Sequence, residues 1–236
     1  MSTRKSLLTA LLAAATIMPL LGCAPAAAPR SQAGSWDGLG CLSKATFSYV
    51  AQSPLLDKSM SFRELKNLES AVGFQKVGQE QLGHYESALD TAVSYDFASS
   101  ATDEAGASHA CLTRLSFAPT LRPSIYLARE MPAGGCLASA TELHERRHHE
   151  IQQARQREAI EIFAATKALP LPKISGRPEE AKTKFDAFIR KQADELNEFL
   201  QSYPQADQQA FDSPQEYDRI AQLCSGEVSA LFSRIR

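Results

Sequence analysis

Hydrophobic positions change their period along this chain. An apolar run from Leu7 to Leu21 comes first. Phe62, Leu65, Leu68 and Val72 then recur at three- and four-residue intervals, which predicts a short helix over 61–73 closed by Gly73. From His84 the period shortens towards two. Thr91–Phe97 alternates, 99–108 is a polar loop, Ala110–Phe117 alternates again, and Ser124–Arg129 follows Pro123 as a further short strand. These segments predict a small antiparallel sheet. After Gly135 the spacing is helical to the end. Ser139-Ala-Thr-Glu142 is a capping box opening a helix to about Leu169, with Pro170 and Pro172 beyond it. A second helix follows Pro178, with Phe185, Phe188, Ile189, Leu196, Phe199 and Leu200 on one face. A second capping box, Ser213-Pro-Gln-Glu216, opens a third helix bearing Tyr217, Ile220, Cys224, Val228, Leu231 and Ile235. Sheet first and helices after is an α+β order, read as one domain over 36–236.

The N-terminal run is an address. Arg4 and Lys5 precede it, and Leu20-Leu21-Gly22-Cys23 ends it. That ending resembles the bacterial lipobox. The resemblance implies a signal peptide over 1–22, acylation of Cys23, and a Pro/Ala-rich tether over 23–35. Ala24 after the cysteine favours, by analogy, the outer membrane facing the periplasm. Cys41, Cys111, Cys136 and Cys224 remain, an even number in an oxidising compartment, so two disulfides are expected. Three pairings are possible and the spacing does not choose among them; Cys41–Cys111 with Cys136–Cys224 is the pairing expected here. None of the four has C-x-x-C spacing, which leaves a zinc ribbon or thioredoxin-like site unsupported.

Composition removes several classes. With 44% hydrophobic and 22% charged residues the 236-residue chain has a globular make-up. A formal charge of −2 gives no basic footprint for nucleic acid. No Ser/His/Asp order, P-loop or dinucleotide motif is present.

One motif carries chemistry: His144-Glu145-Arg146-Arg147-His148, or H-E-x-x-H, inside the first long helix. Histidines four apart lie about 40° apart around a helix axis, so both imidazoles can reach one ion. Zinc accepts imidazole nitrogen and keeps a position for water in catalytic sites. Glu145, beside the first ligand, is the candidate general base. His144 shares a face with Ala140 and Ile151 and so points inward. Arg146, Arg147 and His149 read as a solvated face, and His84 and His109 as isolated structural or surface residues.

The motif resembles that of the zincin metallopeptidases. The chain looks most like a bacterial family of predicted secreted zinc-dependent proteases filed as a domain of unknown function, over roughly Tyr95–Cys224. The likeness rests on Cys111 in a strand pair, Ile125-Tyr126-Leu127, H-E-x-x-H and the distal Gln209-Ala-Phe211-Asp212. It implies a zincin-like fold, Zn2+ as cofactor, and a strand at Ser124–Arg129 that pairs with the substrate backbone. The metzincin continuation is absent. The resemblance puts the third ligand at Asp212, although the family's histidine five residues later is Tyr217 here; Glu216, Tyr217, Glu195 and Glu227 are the alternatives.

The expected function is an envelope-anchored zinc metallopeptidase, hydrolysing peptide or amide bonds in a protein or peptide substrate. Its partners would be that substrate and a membrane, through the lipid anchor, with no nucleic acid. The alternative is a non-catalytic envelope lipoprotein whose structural or degenerate metal site serves an interaction module.

Overall fold

The computed structural model describes residues 38–72, 82–102, 106–166 and 171–235. The signal segment 1–22, Cys23 and the tether 23–35 lie outside the described residues, as do Gly73 and Pro170. In chain order the elements are β1 (Thr46–Phe47), β2 (Val50–Ala51), β3 (Leu55–Asp57), α1 (Phe62–Val72), β4 (Gly83–Ser99), β5 (Ser108–Leu127), α2 (Cys136–Thr166), β6 (Lys173–Gly176), α3 (Pro178–Ser202), α4 (Gln205–Phe211), α5 (Pro214–Leu223) and α6 (Ser225–Ile235).

β5 is the axis. Every other strand pairs with it: β4 along one side, and β6, β1, β2 and β3 along the other. β1, β2 and β3 run parallel to β5, while β4 and β6 run antiparallel. The sheet is therefore not the antiparallel one expected from the alternating segments. Alternation reports which face of a strand is buried and carries no information on strand direction.

The two strands expected at 110–117 and 124–129 are one strand of 20 residues, running through Pro119 and Pro123. Proline lacks the N–H that a sheet interior needs. The carbonyls of Phe117 and Leu121 accept from Ser48 and Gln52, so odd-numbered residues here turn their polar backbone towards the N-terminal segment. Pro119 and Pro123 share that parity. They fall at the gaps between β1 and β2 and between β2 and β3, which is why that side of the sheet comes in three short pieces.

One face of β5 is apolar: Leu115, Phe117, Leu121, Ile125 and Leu127 are buried. The opposite face is polar, with Arg114–Asp96 and Arg122–Asp90 ion pairs at 2.8 and 2.6 Å. The helices cover the apolar face in two cores. One gathers Leu112, Leu115, Phe117, Ile160, Phe163, Phe185, Leu196 and Leu200; the other gathers Phe62, Leu65, Ile125, Leu137, Ala140, Ile220 and Leu231. α2 contributes its C-terminal half to the first and its first turns to the second.

α2 starts three residues before the expected capping box. Ser139 is exposed, and its N–H already donates to the Gly135 carbonyl. Glu227 caps the helix instead, accepting the Cys136 and Leu137 N–H groups at 2.8 and 2.9 Å. A carboxylate at a helix N-terminus satisfies orphan donors and opposes the positive end of the helix dipole. Gly135 makes room for it: a Cβ there would stand 2.6 Å from Glu227 Oε2. The expected third helix breaks at Cys224 into α5 and α6, where Cys224 is bonded to Cys136 and Glu227 turns towards α2. The second disulfide joins Cys41 to Cys111, so both pairs are those expected.

Candidate metal centre

Between Ala140 and Ala159 every buried residue of α2 is polar: Thr141, His144, Glu145, His148, Gln152 and Gln156. A buried helix stripe is ordinarily apolar, and buried polar groups must find partners. This stripe lies between the two cores. His144, Glu145 and His148 are only 4%, 5% and 6% exposed, so the motif is inward-facing, as its position beside Ala140 suggests.

The partners come from the corner between α4 and α5. Asp212 closes α4, and its φ of −71° and ψ of 49° with a Ser213 N–H to Phe211 carbonyl bond make an inverse γ-turn. Ser213 then caps α5, accepting the Glu216 N–H, with Pro214 at the first helical position. The corner is thus fixed on both sides of Asp212. It places Asp212 Oδ1 3.2 Å from His144 Nε2 and 2.9 Å from His148 Nε2, and the two Nε2 atoms stand 3.2 Å apart. Donors held tetrahedrally at zinc–nitrogen distances are separated by about 3.3 Å. Among the described residues no fourth His, Cys, Asp or Glu joins these three.

Each donor is held from behind. His148 Nδ1 hydrogen-bonds the Gln208 side-chain oxygen. His144 Nδ1 lies 3.5 Å from a Glu216 oxygen, and Arg219 holds that carboxylate with two bonds. Tyr217 donates its hydroxyl to Asp212 Oδ1 at 3.1 Å. The Phe211 ring stacks on His144 with centroids 4.8 Å apart and meets His148 edge-on at 5.1 Å.

The protonation arithmetic tests a cation directly. Three of the four ring nitrogens face an acceptor at hydrogen-bond distance, His148 Nδ1 at Gln208 and both Nε2 atoms at Asp212, while the buried His144 Nδ1 makes no hydrogen bond and has a Glu216 oxygen 3.5 Å away. A neutral imidazole carries one N–H, so a neutral His148 would set a lone pair against a lone pair, and a neutral His144 would either do the same at Asp212 or leave its buried Nδ1 unsatisfied. Two imidazoliums would settle the count but place two positive rings with their Nε2 atoms 3.2 Å apart. A divalent cation among the two Nε2 atoms and Oδ1 settles it without that repulsion and leaves both Nδ1–H groups to donate outward. The residues present fit the metal.

The titrations agree in direction. Burial pushes the Asp212 carboxyl up, but bonds from both histidines and their charge outweigh it and hold it well below the usual carboxylate range. Burial pushes His148 down, and the Asp212 bond and charge, with Glu145 and Gln208, raise it overall.

Glu145 lies on the side of α2 that meets β4. A Cβ at Gly83 would come within 2.7 Å of Glu145 Oε1 and 2.6 Å of Thr141 Cγ2. β5 cannot pair with a substrate at Ser124–Arg129, because Ser124–Tyr126 is hydrogen-bonded to both β3 and β4. Among the described residues β4, like the short strands β1–β3 and β6 on the opposite side, pairs with β5 alone, and it is the one of these that starts beside Glu145. His84, read as isolated, stacks on Tyr126 at 6.2 Å and feels the charges of His148 and Asp212; burial lowers its pKa. His109 bonds Ser175 at the β5–β6 pair. Arg146 and Arg147 pair with Glu142 and Glu150 on the helix surface, while His149 is half-buried beside Tyr85.

The other candidate ligands have different tasks. Glu227 caps α2, Glu195 pairs with Lys191 on α3, and Glu216 and Tyr217 stand behind His144 and Asp212. Sequence reasoning missed Gln208. Its signal was the four-residue spacing to Asp212, which puts both on one face of α4. Comparison with protein-family models, curated proteins and solved structures finds no match for this chain.

Proposed function

We propose that this chain is a zinc-dependent hydrolase of peptide or amide bonds. The observation that carries it is the convergence of His144 Nε2, His148 Nε2 and Asp212 Oδ1 within 3.2 Å of one another, with an acceptor facing both nitrogens of His148, which a cation beside Asp212 reconciles. A bound zinc would supply Lewis acidity, polarising a carbonyl and acidifying water. Glu145 then takes the proton of the attacking water and delivers it to the departing nitrogen. Its place against Gly83 supports this role, because an extended peptide adding to the unpaired edge of β4 would pass beside it. His84 stands on that strand at the same end and would contact such a substrate.

The lipobox-like ending at Cys23 and the two disulfides support an envelope protein anchored by acyl chains, in line with an oxidising compartment. Its substrate would be a protein or peptide of that compartment.

The test is Glu145→Gln in the folded domain, with zinc content after dialysis and hydrolysis of a peptide library as readouts. One zinc per chain with hydrolysis abolished is expected, and His144→Ala or His148→Ala should lose both. Zinc bound by the wild type with no turnover of any peptide would favour the non-catalytic interaction module. Absence of zinc would sink both metal readings.

A further inference from the structure

Gln208 engages His148 twice. Its side-chain oxygen faces the ring Nδ1, and its amide nitrogen donates to the backbone carbonyl of the same residue at 2.9 Å. The amide nitrogen also reaches Gln152 Oε1 at 3.1 Å. These contacts fix which way the amide points. Turned over, it would set its oxygen against the His148 carbonyl, two acceptors face to face. The oxygen therefore stays on Nδ1. An acceptor that cannot turn demands an N–H at Nδ1, which leaves the lone pair of the neutral ring on Nε2. Nε2 is the atom aimed at Asp212 and His144.

The helix that carries Gln208 is itself clamped. Asp207, next in the chain, takes two bonds from Arg155 of α2, at 2.7 and 2.9 Å. Asp212 lies four residues beyond Gln208. So the seven-residue α4 is tied to α2 at Arg155, Gln152 and His148, and it delivers both the third donor and the group behind the second.

We propose that Gln208 is the positioning residue that commits His148 to the metal, fixing both its ring orientation and its tautomer. The inference rests on the metal reading given above. Outer partners of this kind typically account for about 10–100-fold in metal affinity.

The test compares wild type, Gln208→Met and Gln208→Glu. Methionine keeps the volume and removes the acceptor. Glutamate keeps an acceptor for Nδ1–H and loses the donor to the carbonyl. Zinc affinity is measured by chelator competition, the His148 Nδ1–H resonance of the zinc form by nitrogen-edited NMR, and stability by thermal unfolding of the metal-free proteins. Expected is a loss of about 10–100-fold for Gln208→Met, with the Nδ1–H signal lost to solvent exchange, and recovery of both signal and most of the affinity in Gln208→Glu. Wild-type affinity and a protected Nδ1–H in Gln208→Met would overturn the role of Gln208 while leaving the metal site standing. Equal losses in both variants, matched by equal losses of stability, would reduce Gln208 to packing. If Gln208→Met does not fold, a Gln208→Glu protein that has lost the Nδ1–H signal overturns the proposal. A wild type that binds no zinc overturns the metal reading and this inference with it.

Discussion

Asp212 Oδ1 stands 2.9 Å from His148 Nε2, although the two residues are 64 positions apart and sit on different helices. The centre therefore closes only when the α4–α5 corner docks on α2. A ligand that binds the folded form alone stabilises it by mass action, by about 2.7 kcal/mol at one hundred times its dissociation constant. Zinc should accordingly raise the melting temperature of the wild type, and Asp212→Ala should abolish that rise. An undiminished shift in Asp212→Ala would remove Asp212 from the ligand set.

Acidity should act on the metal-free and zinc forms with opposite sign. Without metal, His148 is raised by Asp212 against the effect of burial. Its contribution is full below the unfolded value, about 6.5, and fades as pH rises through the folded value. The Asp212 carboxyl is held low, so its contribution is present above about 3.9 and fades only as pH falls through its folded value. Asp212→Asn should therefore destabilise the metal-free protein more at about pH 5.5 than at about pH 8.5. Zinc affinity should run the other way and weaken in acid, because protons must leave the imidazoles. Thermal melts and zinc titrations at the two pH values check both signs.

Gly83→Ala would place a methyl group 2.6 Å from Thr141 Cγ2 and 2.7 Å from Glu145 Oε1. Overpacking of this kind costs about 1–3 kcal/mol. Hydrolysis should fall by more than zinc affinity, since Glu145 must move while the histidines need not. A variant as active and as stable as the wild type would show that Glu145 does not work from this position.

Glu227 and Ser139 make a paired control. Glu227→Ala removes the acceptor of two N–H groups at the start of α2 and should cost about 0.5–2 kcal/mol. Ser139→Ala, on an exposed site inside the helix, should stay within about 0.5 kcal/mol of wild type. Urea melts separate the two outcomes, and the reverse order would restore Ser139 as the cap.

The centre was partly legible from sequence because its parts repeat at helical spacing. His144 and His148 are four apart, and Asp212 stands just before a capping box that marks a helix start. What was hidden depends on long-range packing. Glu227 displaces Ser139 as the cap because it arrives from 90 residues further along the chain, and no local pattern announces that. The direction of β1–β3 was invisible for a related reason: alternation looks alike in parallel and antiparallel pairs. Pro123 argued for a break in β5, yet at Pro119 and Pro123 alike the gaps appear in its neighbours, which face the missing donors. Gln208 was overlooked because an uncharged amide has no chemistry of its own to flag; its importance comes from which residue it faces.

Cys41 and Cys111 are 70 apart in sequence, and the neighbouring strand pairs Thr46–Ser116 and Val50–Thr120 keep that same offset. The bond therefore works as a ruler. Short parallel pieces of two residues can slide cheaply against a long template, and a slide of one position turns every side chain to the wrong face. Once oxidised, the chain admits a single alignment of its first strands on β5. In a reducing environment it would have to find that alignment from side-chain packing alone.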